Sequence, residues 1–209
     1  MKKLLKLQGL KLIAFCMAVI ICLWFAKCLF FFGAEKVAAS TGNMKTIVLS
    51  ADDFELVGIN KLDDGVYIST DHDCQMLYNC DTMVSRITIN SNFAVDPGEV
   101  IVYYTQKEGQ GFHPDKRYWF YPDNEGIYTA NIPLRKIFGV RIDPTIMAAN
   151  TMTIDSIVFN APKSFGQFFA VNGADIFRLF LYSTLVSAVI TLLREFFDGF
   201  SIKKFIKRG

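Results

Sequence analysis

The hydrophobic pattern divides the chain into three. Residues Leu12 to Phe32 read LIAFCMAVIICLWFAKCLFFF, an apolar run whose one charge is Lys27. Wound as a helix at about 1.5 Å per residue, such a run crosses a hydrocarbon layer of roughly 30 Å. A second run, IFRLFLYSTLVSAVITLL over 176–193, is apolar apart from Arg178 in its first turn. A long basic side chain at that position snorkels to the headgroups. Between the two the period changes. From Thr46 to Ala161, short stretches rich in β-branched and aromatic residues are punctuated by Gly, Pro, Asp and Asn, the pattern of strands joined by turns. Strands are predicted over 46–50, 54–59, 65–70, 74–78, 84–93, 99–105, 117–121, 126–132, 137–142 and 152–159. Turns are expected at Asp63-Asp64-Gly65, Asp96-Pro97-Gly98, Pro122-Asp123-Asn124-Glu125-Gly126 and Asp143-Pro144. Alternation is clearest in Arg86-Ile87-Thr88-Ile89-Asn90 and in Val100 to Tyr104. Many short strands at regular spacing predict an all-β, jelly-roll-like antiparallel β-sandwich flanked by two transmembrane α-helices.

Charge sets the orientation. The formal net charge of +2 hides a segregation, because residues 34–175 hold 11 Lys and Arg against 18 Asp and Glu. The first flank carries Lys2, Lys3, Lys6 and Lys11 and no acid, and the tail carries Arg194, Lys203, Lys204, Lys207 and Arg208 against Glu195 and Asp198. The positive-inside rule then places both termini in the cytoplasm of a two-span plasma-membrane protein and exports the middle. The expected organisation is a basic cytoplasmic segment 1–11, a transmembrane helix 12–33, an extracytoplasmic β-sandwich 44–163, a transmembrane helix 176–193 and a basic amphipathic cytoplasmic tail 194–209. The tail is expected to lie along the anionic inner leaflet. An acidic folded part excludes nucleic acid as a partner. The first run outlasts the apolar core of a signal peptide, about 7–15 residues, and reads as an uncleaved anchor. Val37-Ala38-Ala39-Ser40 keeps a cleaved signal as the alternative, and the middle is exported under both.

In the second span Ser183 and Ser187, and Thr184 and Ala188, fall four apart on neighbouring stripes. Small residues so spaced let helix backbones approach, on the first span or on a partner; in a lipid-facing helix they are simply tolerated. Cys16, Cys22 and Cys28 lie in the first span as apolar filler. Cys74 and Cys80 are exported, where a disulfide is permitted. On one straight strand they stand about 20 Å apart, so they pair only if the chain turns near Asn79.

The order Asp52-Asp53-Phe54-Glu55-Leu56, Thr70-Asp71-His72-Asp73, Tyr103-Tyr104 with Gly109-Gln110-Gly111-Phe112, and Val140-Arg141-Ile142-Asp143-Pro144 resembles an uncharacterised extracytoplasmic β-sandwich domain. That domain accompanies bacterial membrane glycosyltransferases and surface-polysaccharide assembly proteins, and it is similar in outline to jelly-roll carbohydrate-binding modules. The resemblance covers residues 46–162 and rests on short motifs. It implies a surface glycan, or a membrane enzyme of polysaccharide assembly, as partner besides the lipid bilayer. The chain lacks the multi-span catalytic part of the larger proteins, so no catalytic residue is carried over.

Tyr118-Trp119-Phe120-Tyr121 is the foremost candidate for chemistry. Side chains alternate along a strand, so one pair enters the core and the other faces out. Trp119 and Tyr121, with Tyr104, are the expected plates for the apolar face of a sugar ring; the alternative is that all pack inside, as strand aromatics commonly do. Asp52, Asp53, Asp71 and Asp73 supply oxygens of the kind calcium takes, and the resemblance implies a structural calcium, but Asp side chains also cap turns. No other cofactor is expected. Asp143 is expected to fix the turn before Pro144 and to pair with Arg141 or Arg86. His72 and His113 are too few for a zinc site with Cys74 and Cys80, and no Gly-x-Ser-x-Gly elbow occurs. The sequence thus reads as a non-catalytic, membrane-anchored accessory protein whose domain binds surface glycan or docks on an envelope enzyme. The alternative is a structural subunit that recruits a membrane partner through its helices.

Overall fold

The computed structural model describes residues 9–63, 65–123, 126–171 and 173–199. The flank at Lys2, Lys3 and Lys6 and the tail beyond residue 199 lie outside the described residues. The described residues form two compact units, one from those before Gly33 and after Lys163 and one from Gly33–Lys163.

The first unit holds most of helix α1 (Leu10–Ser40) and helix α2 (Gly173–Gly199). Both are long and apolar enough, by length and composition, to cross a membrane. Helix α1 outlasts the expected 12–33 because Glu35-Lys36-Val37-Ala38-Ala39 continues in helix-compatible residues. It stops where Gly42 takes φ 74° and donates to the Ala39 carbonyl, a left-handed turn that suits glycine. In α2 the covered positions recur as Asp175, Leu179, Ser183, Ser187 and Ile190, and in α1 as Leu12, Cys16, Ile20, Trp24 and Cys28. Ser183 and Ser187 are buried, their hydroxyls donating to carbonyls of their own helix. Thr184 and Ala188 are exposed, so the second expected packing stripe is not covered; a step of one residue turns a side chain about 100° around the axis. A 3-10 turn at Phe165–Phe169 precedes α2 and stacks Phe165 and Phe168 on Phe32, and Phe169 on Trp24 and Phe25.

The second unit is antiparallel β. Its strands are β1 (Ile47–Leu49), β2 (Glu55–Val57), β3 (Ile59–Asp63), β4 (Val66–Ser69), β5 (Gln75–Phe93), β6 (Ile101–Thr105), β7 (Arg117–Trp119), β8 (Tyr121–Pro122), β9 (Ile127–Asp143) and β10 (Thr151–Phe159). The main departure from expectation is that 74–78 and 84–93 are one strand of 19 residues, and 126–132 and 137–142 one of 17. What read as gaps between strands are bulges. Cys80 and Asp81 of β5 stand against Phe138 alone, and Ile132, Pro133 and Leu134 of β9 stand against Ser85. Proline cannot donate to a ladder and is accepted at such a bulge.

The antiparallel pair of β5 and β9 is shared by two half-sheets. One runs β2, β5 (75–79), β9 (139–143), β6, β7. The other runs β3, β4, β10, β5 (86–93), β9 (127–131), β8, with β1 also on β10. All strands therefore belong to one hydrogen-bonded sheet rather than two separate ones. Both halves feed a single buried cluster, including Met76, Val102 and Ile142 from the first and Ile87, Ile157 and Phe159 from the second. Each such side chain contributes about 1.5–3 kcal/mol on burial.

Two buried asparagines bracket β10. The Val95 amide donates to Asn150 Oδ1 (3.1 Å), and Asn150 Nδ2 donates back to the Val95 carbonyl (3.0 Å). At the other end Asn160, at φ 56°, accepts from the Ser85 amide (2.9 Å) and donates to the carbonyls of Met83 (2.8 Å) and Lys45 (2.9 Å).

Cys74 and Cys80 are free. Each thiol faces a carbonyl, Thr145 for Cys74 and Ile137 for Cys80. Burial pushes the Cys74 thiol up and takes that of Cys80 up to about 12. Because the thiolate is the nucleophile, neither should react with a maleimide at neutral pH in the folded chain, and both should react in denaturant. Mass-tag counting checks this; native labelling at Cys80 would contradict its burial.

Candidate functional site

Register decides which side of the first half-sheet faces out, because residues opposite one another in an antiparallel ladder share a face. Met76, Ile142, Val102 and Tyr118 form one row, and Tyr78, Val140 and Tyr104 another. These rows carry the core. The other phase gives the rows Leu77, Arg141, Tyr103, Arg117, then Asn79, Gly139, Thr105, then Asp143, Ile101, Trp119. That phase, the outward face, points away from the core rows: Asn79 and Trp119 are exposed on it, Leu77, Tyr103, Arg117 and Arg141 are half-buried, and Ile101, Thr105, Gly139 and Asp143 are buried between them.

Trp119 is 37% exposed, with the Arg117 guanidinium 4.9 Å above its ring. Arg141 lies 5.0 Å over the Tyr103 ring. Its Nε and Nη2 donate to the two oxygens of Asp143, each at 2.7 Å, and Nη2 also reaches Asp73 at 2.6 Å. A guanidinium held in this two-pronged way is fixed in plane and direction. Burial pushes the Asp143 carboxyl up from its ordinary value against the pull of Arg141. The Arg141 guanidinium is held protonated chiefly by its bonds to Asp143. Gln75 donates to the second oxygen of Asp73 (2.9 Å) and completes the chain of polar groups.

Two open grooves flank the β5 bulge. One, of about 570 Å³, is lined by Asn79, Thr105, Lys107, Gln110, Phe112 and Gly139 among others. It continues the outward face. A Cβ at Gly139 would press on Thr105 Oγ1 at 3.0 Å and touch Phe112 at 3.7 Å, so glycine keeps the groove floor open. The other, of about 650 Å³, is lined by residues including Gly42, Lys45, Tyr78, Thr82 and Lys136. Asn79, Cys80 and Asp81 line both.

The residues singled out from sequence fall as follows. Trp119 is on the outward face. Tyr121 is 69% exposed but stands on β8, against Thr129 in the second half-sheet. Tyr104 is corrected: it is 4% exposed, stacks on Tyr118 and bonds through its hydroxyl to Arg135, so no sugar can reach its ring. Its neighbour Tyr103 holds the outward position. The aspartates named for calcium are occupied separately. Asp52 accepts from Lys61 (2.7 Å) and Tyr67 (2.9 Å), whose bonds pull its carboxyl down. Asp53 accepts from the Ser50 amide and hydroxyl, Asp71 from the His72 amide, and Asp73 from Arg141. Among the described residues no group of three or more His, Cys, Asp or Glu is placed to hold a metal ion. Asp143 pairs with Arg141 rather than Arg86. Sequence reasoning missed Tyr103, Arg117, Arg141, Asn79 and Phe112 as site residues, although several stand in the motifs quoted for the resemblance.

No family model matches the chain. No curated protein matches it. Solved structures similar to it include CBM86, a low affinity xylan binding module from Roseburia intestinalis, 16% identical over 55% of this chain and 94% of that one, with a TM-score of 0.35. A β-1,3-glucan binding CBM6 from Bacillus halodurans is 17% identical over 57% of this chain and 97% of that one, TM-score 0.36. CsCBM6-3 from Clostridium stercorarium, solved in complex with cellobiose, is 14% identical over 56% and 93%, TM-score 0.35. Likenesses at this distance leave the site to be argued from this chain's own residues.

Proposed function

We propose that the chain is a non-catalytic, two-span membrane protein whose β domain lies outside the cell and binds glycan on the outward face of the first half-sheet. The observation that carries this reading is the set Trp119, Tyr103, Arg117, Arg141 and Asn79 on one side of a half-sheet whose other side is core. Rings and guanidinium planes suit the apolar face of a pyranose, and the carboxylates and carboxamide beside them suit its hydroxyls. The export of the domain is supported by the apolar helices and by the basic ends around an acidic middle. The test is a glycan array probed with the full chain in lipid nanodiscs. Retention of neutral glycans by the wild type, lost in Trp119→Ala and kept in Tyr121→Ala, is the expected result; no glycan retained at all contradicts the reading.

A second reading, docking on a membrane enzyme of envelope polysaccharide assembly, is favoured by the uncovered Thr184 and Ala188 stripe of α2. Under it, co-purification of such an enzyme in mild detergent is lost in the double variant Thr184→Phe, Ala188→Phe and survives Trp119→Ala. Loss in the reverse order counts against it.

A further inference from the structure

The end of the β domain that adjoins α1 carries a groove which the glycan reading leaves unused. The last turns of α1, residues 33–40, belong to the β unit, and the chain that follows them is fastened on both sides. The Met44 amide donates to the Ala38 carbonyl (3.0 Å). The Asn43 carbonyl accepts from the Met83 amide (2.9 Å) and from the Thr82 hydroxyl (3.1 Å). Asn160 Nδ2 holds the Lys45 carbonyl at 2.9 Å. Gly42, Asn43 and Lys45 of this fastened segment line the groove of about 650 Å³ together with the β5 bulge. On the two-span reading the hydrocarbon ends near residue 33, and residues 33–40 add a helical rise of about 12 Å. That puts the groove beside the headgroup layer.

Its charged groups suit a single negative charge. Lys45 and Lys136 line it against one carboxylate, Asp81, which accepts from Lys136 Nζ at 2.9 Å. Among the described residues no carboxylate pairs with the Lys45 ammonium. Two ammonium groups against one carboxylate leave an excess of one positive charge, although residues 34–175 hold 11 Lys and Arg against 18 Asp and Glu. The field of the domain as a whole repels anions, so this excess is local to the groove. Tyr78 adds a neutral donor. Its ring packs on Phe54 and Phe159, with centroids 5.3 and 5.7 Å away. Its hydroxyl makes no hydrogen bond with any described residue, and burial pushes the phenol up, so it stays a donor. A half-buried hydroxyl without a protein partner is satisfied by water or by a ligand.

We infer that this groove binds the singly charged phosphodiester headgroup of a membrane lipid, with Lys45 supplying the ammonium and Tyr78 the hydroxyl. Its place at the membrane rests on the two-span reading above and owes nothing to the glycan face. The volume is that of a small-ligand site, roughly 300–1,000 Å³, and leaves room for the alcohol that the phosphate carries.

The experiment titrates the full chain, in a polyoxyethylene detergent, with phosphatidylglycerol, with diacylglycerol of the same tails and with inorganic phosphate, read by native mass spectrometry. Wild type is compared with Lys45→Gln, Tyr78→Phe, Lys107→Gln and the tail pair Lys203→Gln, Lys204→Gln. Phosphatidylglycerol is expected to bind best, weakened about threefold to fivefold by Lys45→Gln and by Tyr78→Phe and unchanged by Lys107→Gln. Because the Tyr78 hydroxyl bonds to nothing in the described chain, Tyr78→Phe should leave thermal unfolding unchanged, which separates a lost ligand contact from a damaged fold. Diacylglycerol held as tightly means that tails alone are bound, and inorganic phosphate held as tightly means a site for free anions; both overturn the lipid headgroup. Sensitivity confined to the tail pair moves the lipid to the tail and overturns the groove. Alkaline extraction of membranes separates the two levels. A chain that stays in the membrane while Lys45→Gln binds as wild type overturns the groove alone; a chain released by alkali overturns the two-span reading with it.

Discussion

Asn160→Ala is expected to cost the β domain about 4 kcal/mol. Three bonds of a buried carboxamide are lost, to the Ser85 amide and to the Met83 and Lys45 carbonyls, and each backbone group left unpaired in the interior costs about 1–3 kcal/mol. The left-handed backbone at φ 56° suits asparagine and adds about 1–2 kcal/mol against alanine. The site joins the start of β1, the bulged middle of β5 and the end of β10, so nothing nearby can close the gap. Thermal unfolding should fall by roughly 10–15 °C. Asn160→Gly should recover only the backbone part. A loss under about 1 kcal/mol for the alanine variant would mean that the carboxamide does not tie these strands together.

The second large effect concerns Glu35 and Lys163. Their side chains meet at 2.9 Å, 12% and 14% exposed, and join the last turns of α1 to the chain just after β10. Removing one member of such a pair strands the other charge in a poorly solvated place. Lys163→Met is therefore expected to destabilise this junction by about 3 kcal/mol, whereas Lys163→Met with Glu35→Leu should be close to neutral. The double-mutant cycle is read by thermal unfolding and by the rate of tryptic cleavage after Lys36 and Lys45. Equal losses in the single and double variants would mean that packing, rather than stranded charge, dominates there.

Most strands were legible because apolar and polar residues alternate in them and Gly, Pro and Asp end them. The two long strands were not, since Asn79-Cys80-Asp81 and Pro133 have turn composition and only their partners across the ladder show that they are bulges. The phase of β6 was equally hidden. The alternation expected in Val100 to Tyr104 does not separate two faces, because all five residues are apolar or aromatic; pairing with β9, far along the chain, decides for Tyr103 as the outward tyrosine. The link of Asp73 to Arg141 spans 68 positions and leaves no local trace. In α2, spacing by four found both small-residue stripes, but which one is covered depends on what packs there.

Trp24 and Trp119 are the only tryptophans, which makes the decisive measurement simple. In a Trp24→Phe variant, Trp119 is the sole emitter and sits on the proposed glycan face. Titrating that variant in nanodiscs with the neutral glycan best retained on the array should shift and saturate the emission, at the same midpoint found by calorimetry. Calorimetric binding with the Trp119 emission unchanged would place the ligand elsewhere and contradict the account.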